Sequence, residues 1–523
     1  MEFSALYKKQ FFVLLLLLCS CGEVGDKQKK ESNLEDTPTA VESSERLSLT
    51  LSQRTQQACA VDKVTLQHEH LGTLKNTVNS LITQAGTLQS EKPWNCAESL
   101  ANDMQHHLQR QAMQLQAAQY DIVVIGAGVQ ASIFNAALWE KMGQQHRNVQ
   151  VLFIDQNHDG GAQHFRTYIY EINTGATGTN FPPAPLQINE YTAEENPPAY
   201  SIWIQTVLSH FSSHSHFLFG KHVKTIEFLP NQASKYPYKV RFDDMSAVHA
   251  KTVIIATGLG DAKVPEESDR MWLAQQQQQA MTCKTLSCVP AVLTFEQMVM
   301  LERHLNARGL SLLKVLENKR VAILGKGASG QAAHRFLEGK APSRAYQYAS
   351  THTRPNHIEQ FSGGTNKIKR LGQTQASGVA VWDAGGNKHI FNTVIVAMGH
   401  ERIGSNSRLQ RLIAGMVNQA RPNLQWSEPL AFVPIQNSEN TPIAYQLKEK
   451  CQLTGNKVQC PLAASRGADE AETRTGSQSP FHSIFVIGVA AEGIGSGKSL
   501  GDVINTSAQK TTQFAHWLLL QLQ

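Results

Sequence analysis

Two glycine-rich turns, each following an apolar strand and opening a helix, constrain this chain more than any other feature. The first lies in Tyr120-Asp-Ile-Val-Val-Ile-Gly-Ala-Gly-Val-Gln-Ala131, a GxGxxA pattern at Gly126, Gly128 and Ala131. The second lies in Arg320-Val-Ala-Ile-Leu-Gly-Lys-Gly-Ala-Ser-Gly330, a full GxGxxG at Gly325, Gly327 and Gly330. The pattern serves a dinucleotide pyrophosphate. One glycine makes the tight turn and the next lets backbone approach phosphate. The small third residue lets helix pack on strand, and the helix start aims its free amides at the anion. A single such turn is weak evidence. Two in strand–turn–helix context predict an α/β fold with two dinucleotide-binding units.

The second strand of the first unit, Val149-Gln-Val-Leu-Phe-Ile-Asp155, ends on an acid. Its offset from the glycines is a little beyond the usual value of about 20 residues. At that strand end the Asp155 carboxylate can accept from both hydroxyls of an adenosine ribose; a solvated turn aspartate is the plainer alternative. Strand signals follow at 221–228, 238–242 and 248–257, the last stopping at Ala256-Thr257-Gly258. The second unit closes on a partial copy, Thr393-Val-Ile-Val-Ala-Met-Gly399. A final strand ends at Gly488, before an amphipathic helix at about 499–520.

The N-terminus has Lys8 and Lys9, an apolar run from Phe11 to Leu18, then Cys19-Ser20-Cys21. The run is too short to span a bilayer as a permanent helix. Leu18-Cys19-Ser20-Cys21 resembles a bacterial lipoprotein signal, which implies cleavage before Cys21 and a diacylglyceryl anchor on its sulfur. The expected location is the cell envelope, lipid-anchored and facing the periplasm. Eight cysteines are present. Cys59, Cys96, Cys283, Cys288, Cys451 and Cys460 remain after the signal and Cys21, an even number that points to disulfides in an exported chain. Sequence order favours Cys59–Cys96, Cys283–Cys288 and Cys451–Cys460, with other pairings open.

Lys plus Arg number 48 against 43 Asp plus Glu. That balance gives no electrostatic case for a nucleic-acid partner, which calls for a basic stripe. The expected organisation is a signal peptide (1–20), a polar tether (21–48), a helical prefix (49–118), a first dinucleotide unit (119–260 with 480–523), a connecting segment (261–318), a second unit (319–400) and an irregular segment (401–479).

The order GxGxxA, acid, Ala-Thr-Gly, GxGxxG, Ala-x-Gly, strand–Gly–helix resembles the two-dinucleotide-domain flavoproteins, including thioredoxin-reductase-like enzymes and class B flavin monooxygenases. The resemblance runs from about Tyr120 to the C-terminus. It implies FAD on Gly126, Gly128, Ala131 and Asp155, with Gly160 and Gly161 near the flavin and Thr257 and Gly258 at the domain junction. NADP would bind at Gly325, Gly327 and Gly330, with Gly399 and Gly488 closing the two units. The strand assigned to Ala345–Ala349 is followed by Ser350-Thr-His-Thr-Arg354, without an acid. Arg354 there would suit a 2′-phosphate, hence NADPH over NADH. The chain departs from the family after the last glycine, where Val489 stands in place of the usual Asp. The monooxygenase fingerprint between the units is also not evident.

No catalytic side chain is assigned, since a flavin would do the redox work. Substrate and electron acceptor are not specified by these residues. Two other readings stand beside the NADPH-linked oxidoreductase. Cys283 and Cys288 could relay electrons to a thiol partner, or the chain could be a non-catalytic lipoprotein that keeps the fold.

Overall fold

The computed structural model describes residues 47–68, 71–86, 92–112, 119–145, 149–157, 215–229, 235–258, 262–283, 285–306, 308–339, 354–361, 368–374, 378–399, 409, 411–414, 430–449, 452–454, 457–459, 483–488 and 503–522. The expected signal peptide with Cys21, the Gly160-Gly161 pair, the strand assigned to 345–349, Cys451, Cys460 and Val489 lie outside these residues. Among the described residues no helix is long and apolar enough to cross a membrane.

The prefix comprises β1 (Leu47–Thr50), α1 (Gln53–Cys59), β2 (Thr65–His68), α2 (Leu71–Gly86) and α3 (Lys92–Ala112). β1 and β2 pair antiparallel, a ribbon that helical spacing alone did not foretell. Ser52 caps α1 by accepting from the Thr55 amide, and Asp103 of α3 accepts from the Ser52 amide. Leu49, Leu66, Val78, Ile82, Leu100 and Met104 form a separate small core. Through that core runs the expected Cys59–Cys96 disulfide. Closing a loop across 37 positions removes denatured-state entropy equivalent to about 4 kcal/mol.

The first unit holds β3 (Gln119–Ile125), α4 (Val129–Gln145), β4 (Val151–Asp155), β5 (Ser215–Phe219), β6 (Val223–Phe228), β7 (Tyr238–Phe242) and β8 (Ala247–Ile255). β3 reads as an unbroken apolar run because both of its faces are covered. Ile122 and Val124 face the core beneath α4, whereas Val123 and Ile125 face the opposite core with Val240 and Leu412. Each such side chain contributes roughly 1.5–3 kcal/mol on burial. β3 lies between β4 and β8, parallel to both.

The second unit begins earlier than 319. The segment from 261 supplies α5 (Arg270–Thr282), β9 (Val292–Thr294), α6 (Phe295–Asn306) and α7 (Leu312–Leu316). Then follow β10 (Arg320–Leu324), α8 (Ala328–Leu337), β11 (His357–Phe361), β12 (Ile368–Gln373), β13 (Val379–Asp383), β14 (Lys388–Phe391) and β15 (Thr393–Val396). β11, β10, β15 and β9 form a parallel sheet in that order. β10 repeats the logic of β3: Val321 and Ile323 face one core, Ala322 and Leu324 the other.

The stretch expected to be irregular carries β16 (Leu430–Gln436) and β17 (Pro442–Glu449), a hairpin, and the short ribbon β18 (Gln452–Thr454) with β19 (Lys457–Gln459). The hairpin extends the first sheet through β20 (Ile484–Val486), which runs parallel to β8. Helix α9 (Val503–Gln521) then packs on α4, with the Phe134 and Phe514 rings 6.1 Å apart.

The repeat extends to small sheets that lead into both units. β6, β7 and β8 form an antiparallel meander, as do β12, β13 and β14. β8 runs on unbroken into the parallel sheet. Its counterpart is split at Asn392, whose side-chain oxygen accepts from the Arg320 amide.

Candidate nucleotide-binding turns

Both glycine turns stand at the carboxyl ends of parallel strands, where strand order reverses: β3 between β4 and β8, β10 between β11 and β15. In open α/β sheets ligands bind at that edge. At the first turn the Gly126 amide donates to Ile154 O at 2.7 Å. Gly126 has φ +103°, and a Cβ there would sit 2.4 Å from the Ala256 carbonyl oxygen. Side-chain bulk is therefore excluded twice, by backbone angle and by the Ala-Thr-Gly strand end. At the second turn Gly325 donates to Phe361 O at 3.0 Å. Its φ is +130°, and a Cβ would meet Ala397 O at 2.1 Å. Ala256-Thr257-Gly258 and Ala397-Met398-Gly399 thus do the same job in the two units: an alanine carbonyl closes on the first glycine.

The third small residue packs as the pattern requires. Ala131, in the first turn of α4, is wholly buried. A Cβ on Gly330 would stand 2.1 Å from Gly325 O. The middle glycine behaves differently, because at Gly327 a Cβ would meet nothing within 4 Å. That space is open to a ligand.

Donors face both edges. The first helical hydrogen bond of α4 runs from Ser132 N to Gly128 O at 2.9 Å, so the amides from Gly128 to Ala131 have no acceptor inside the helix. In α8 the first bond is Gln331 N to Gly327 O at 2.9 Å, which leaves the amides from Gly327 to Gly330 in the same state. Each turn is an anion cradle, and the positive end of a helix dipole reinforces it.

The strand ends beside the two turns differ. Asp155 Oδ2 accepts from the Ala127 amide at 2.8 Å, and Oδ1 accepts from the Asn157 amide at 2.9 Å. The carboxylate fastens the turn through both of its oxygens. The strand assigned to 345–349 lies outside the described residues, and the strand that borders the second turn is β11. Its Gln360 donates from Nε2 to Gly325 O at 2.8 Å.

This register corrects the placement of Arg354. The residue precedes β11, where its carbonyl accepts from Asn318 N, and its guanidinium lies beside Gly339. It therefore stands at the amino end of the sheet, opposite the Gly325 turn. The Cys283–Cys288 disulfide forms as expected. It joins the end of α5 to the turn before β9, packed with Leu312, Leu313 and Leu316 of α7. That too is the amino end of the parallel strands, remote from the cradle, so its place suits a staple rather than a relay.

Gly488, at the end of β20, has φ +73°. It is buried, and the side chain of Gln130 fills the space where its own would go, 2.5 Å from Cγ. Gln130 and Gln360 had no signal in the sequence, since glutamine carries no motif at either position. Burial pushes the Tyr120 phenol up to about 12; the residue stands near the start of β3, away from the turn.

No family model matches the chain, and no curated protein does. Among solved structures the chain is similar to the reduced form of ornithine hydroxylase from Pseudomonas aeruginosa, at 15% identity over 76% of this chain and 99% of that one, with TM-score 0.42. It is similar to L-lysine 6-monooxygenase from Pseudomonas syringae at 12% identity, over 76% of this chain and 99% of that one, with TM-score 0.42. L-proline dehydrogenase from P. horikoshii matches at 12% identity and TM-score 0.38, over 78% of this chain, which spans only 56% of that protein. Likenesses of this size carry no functional inference, so what the two turns can hold rests on their own geometry.

Proposed function

We propose that this chain is an FAD-dependent oxidoreductase whose second unit binds NADPH, exported and held to the bacterial envelope by a lipid on Cys21. The observation that carries the reading is the duplicated cradle: two turns with the same glycine-to-alanine closure, each presenting helix-start amides that have no acceptor inside the helix, at a carboxyl strand edge. The amides from Gly128 to Ala131 suit the FAD pyrophosphate, and the place of Asp155 at the end of β4 suits the adenosine ribose. Gly327 and Gly330 shape the corresponding seat for the nicotinamide dinucleotide.

Arg354 no longer supports NADPH, but β11 does. Its end carries Gln360 and Phe361, with no carboxylate to repel a 2′-phosphate or to claim a bare ribose diol. A bound flavin supplies the redox centre between nicotinamide and a terminal acceptor. Molecular oxygen with an organic substrate is the acceptor this reading favours. The two disulfides agree with an oxidising compartment.

The purified protein is expected to be yellow, with a flavin absorption spectrum, and NADPH should bleach it anaerobically faster than NADH. A colourless protein that FAD cannot reconstitute overturns the reading. NADH as the faster donor overturns only the NADPH assignment. Oxygen uptake should accompany NADPH oxidation. Export with an anchor predicts that Cys21→Ser releases the protein from membranes.

A further inference from the structure

Of the buried side-chain amides on α4 without a partner among the described residues, that of Gln130 stands at the first turn and that of Asn135 further along the helix. Gln130 is the second residue of α4, between Val129 and the packing residue Ala131. Its side chain is only 7% exposed. Oε1 accepts from Thr511 Oγ1 of α9 at 2.7 Å. Cβ and Cγ occupy the volume facing Gly488, where a side chain on β20 would collide with them. Among the described residues Nε2 has no hydrogen-bond partner.

An unpaired buried amide is costly, and native structures rarely keep one without a reason. The two free N–H groups belong to the same helix start as the four amides that lack acceptors. The Gln130 amide thus adds donors to a helix start that already presents donors. The complement is an oxygen-rich, acceptor-bearing ligand.

We infer that Gln130 is a cofactor-positioning residue whose Nε2 donates to an oxygen of bound FAD in its pyrophosphate–ribityl stretch. The inference rests on the FAD reading above and deepens it. Three elements converge on this one side chain. α4 carries it, Thr511 of α9 fixes which end of the amide is committed, and the missing side chain at Gly488 makes room for it. It also accounts for Val489. The family's acid after the last glycine would hold the ribityl chain from the β20 side, whereas here a neutral donor reaches the same region from α4.

The test compares FAD binding to apoprotein, read by quenching of flavin fluorescence, in wild type, Gln130→Met, Gln130→Glu and the double variant Gln130→Met/Thr511→Val. Methionine keeps the volume and removes the donors, so the dissociation constant should rise about tenfold, the effect of one hydrogen bond. Glutamate offers only acceptors and adds a charge beside the pyrophosphate, so its loss should exceed that of methionine. The double variant replaces both partners with apolar groups, which is close to neutral for folding. Its apoprotein should unfold in urea at no lower midpoint than wild type, while its FAD affinity still falls about tenfold.

Wild-type affinity in Gln130→Met and in the double variant overturns the inference and leaves the FAD reading intact. Affinity lost only in proportion to apoprotein stability assigns Gln130 a packing role and overturns it too. A wild-type apoprotein that takes up no FAD refutes the functional reading itself, and the inference with it.

Discussion

The two glycine turns share a backbone plan and differ in the side chain that ties them down. In each, the first glycine donates to the neighbouring strand and takes an alanine carbonyl against its α-carbon. In the first unit the adjacent strand end supplies a carboxylate that accepts an amide, Asp155 from Ala127. In the second it supplies an amide that donates to a carbonyl, Gln360 to Gly325. The contacts that make the turn possible are duplicated. The contact that sets its charge is not. Backbone geometry defines the turn, and under the proposed function strand-end chemistry selects the nucleotide.

The largest effect should come from breaking the shared part. Gly325→Ala forces a Cβ into the Ala397 carbonyl at positive φ and should cost about 3 kcal/mol or more in urea unfolding. Where the variant still folds it should stay yellow yet resist reduction by NADPH. Gly126→Ala should instead lose the flavin. If either variant loses both functions equally, the units are not independent and the comparison fails. Asp155→Asn removes a charge-assisted bond at the first turn and should lower FAD affinity by roughly 1.5–3 kcal/mol. Titration of the apoprotein measures it, and an unchanged affinity would mean that the carboxylate is only a turn residue.

Removing the staple at the far edge of the second sheet should matter less. Cys283→Ser with Cys288→Ser releases a loop of 5 positions, worth about 2 kcal/mol at most. Flavin reduction by NADPH should continue at the wild-type rate, whereas a collapse of turnover would restore the relay reading. The smallest and most pointed change is Gln360→Glu, which gives the second turn an acid like the first. Discrimination should move toward NADH by about tenfold, or ~1.4 kcal/mol of like-charge repulsion against a 2′-phosphate. A preference that does not move assigns the selection elsewhere.

What the sequence disclosed, and what it hid, follows the same division. Central strands such as β3 and β10 are apolar on both faces and stand out in the chain, as do the glycines beside them. Their partner carbonyls at Ala256 and Ala397 were half-visible in the repeated Ala-x-Gly ending. β11 was not read because His357-Ile-Glu-Gln-Phe361 is a half-exposed edge strand with only two apolar residues, less conspicuous in the sequence than the apolar letters near 345. That slip carried Arg354 to the wrong end of the sheet. The hairpin β16–β17 was missed because Pro434 interrupts the apolar run of β16 and β17 mixes Gln446, Lys448 and Glu449 with its apolar residues. Gln130 could not have been read at all. Its meaning arises only when Gly488 and Thr511, distant in sequence, close around it.

The cross-link in the prefix has a practical consequence for anyone who makes this protein. Cys59 and Cys96 lock a small core of few apolar side chains, separate from the cores of the two parallel sheets. A chain produced in a reducing cytosol would reach the purification column without that cross-link. Its N-terminal helices would then be the first part to yield to proteases, whatever the condition of the dinucleotide units behind them. Secretion into an oxidising host compartment is accordingly the route to intact material.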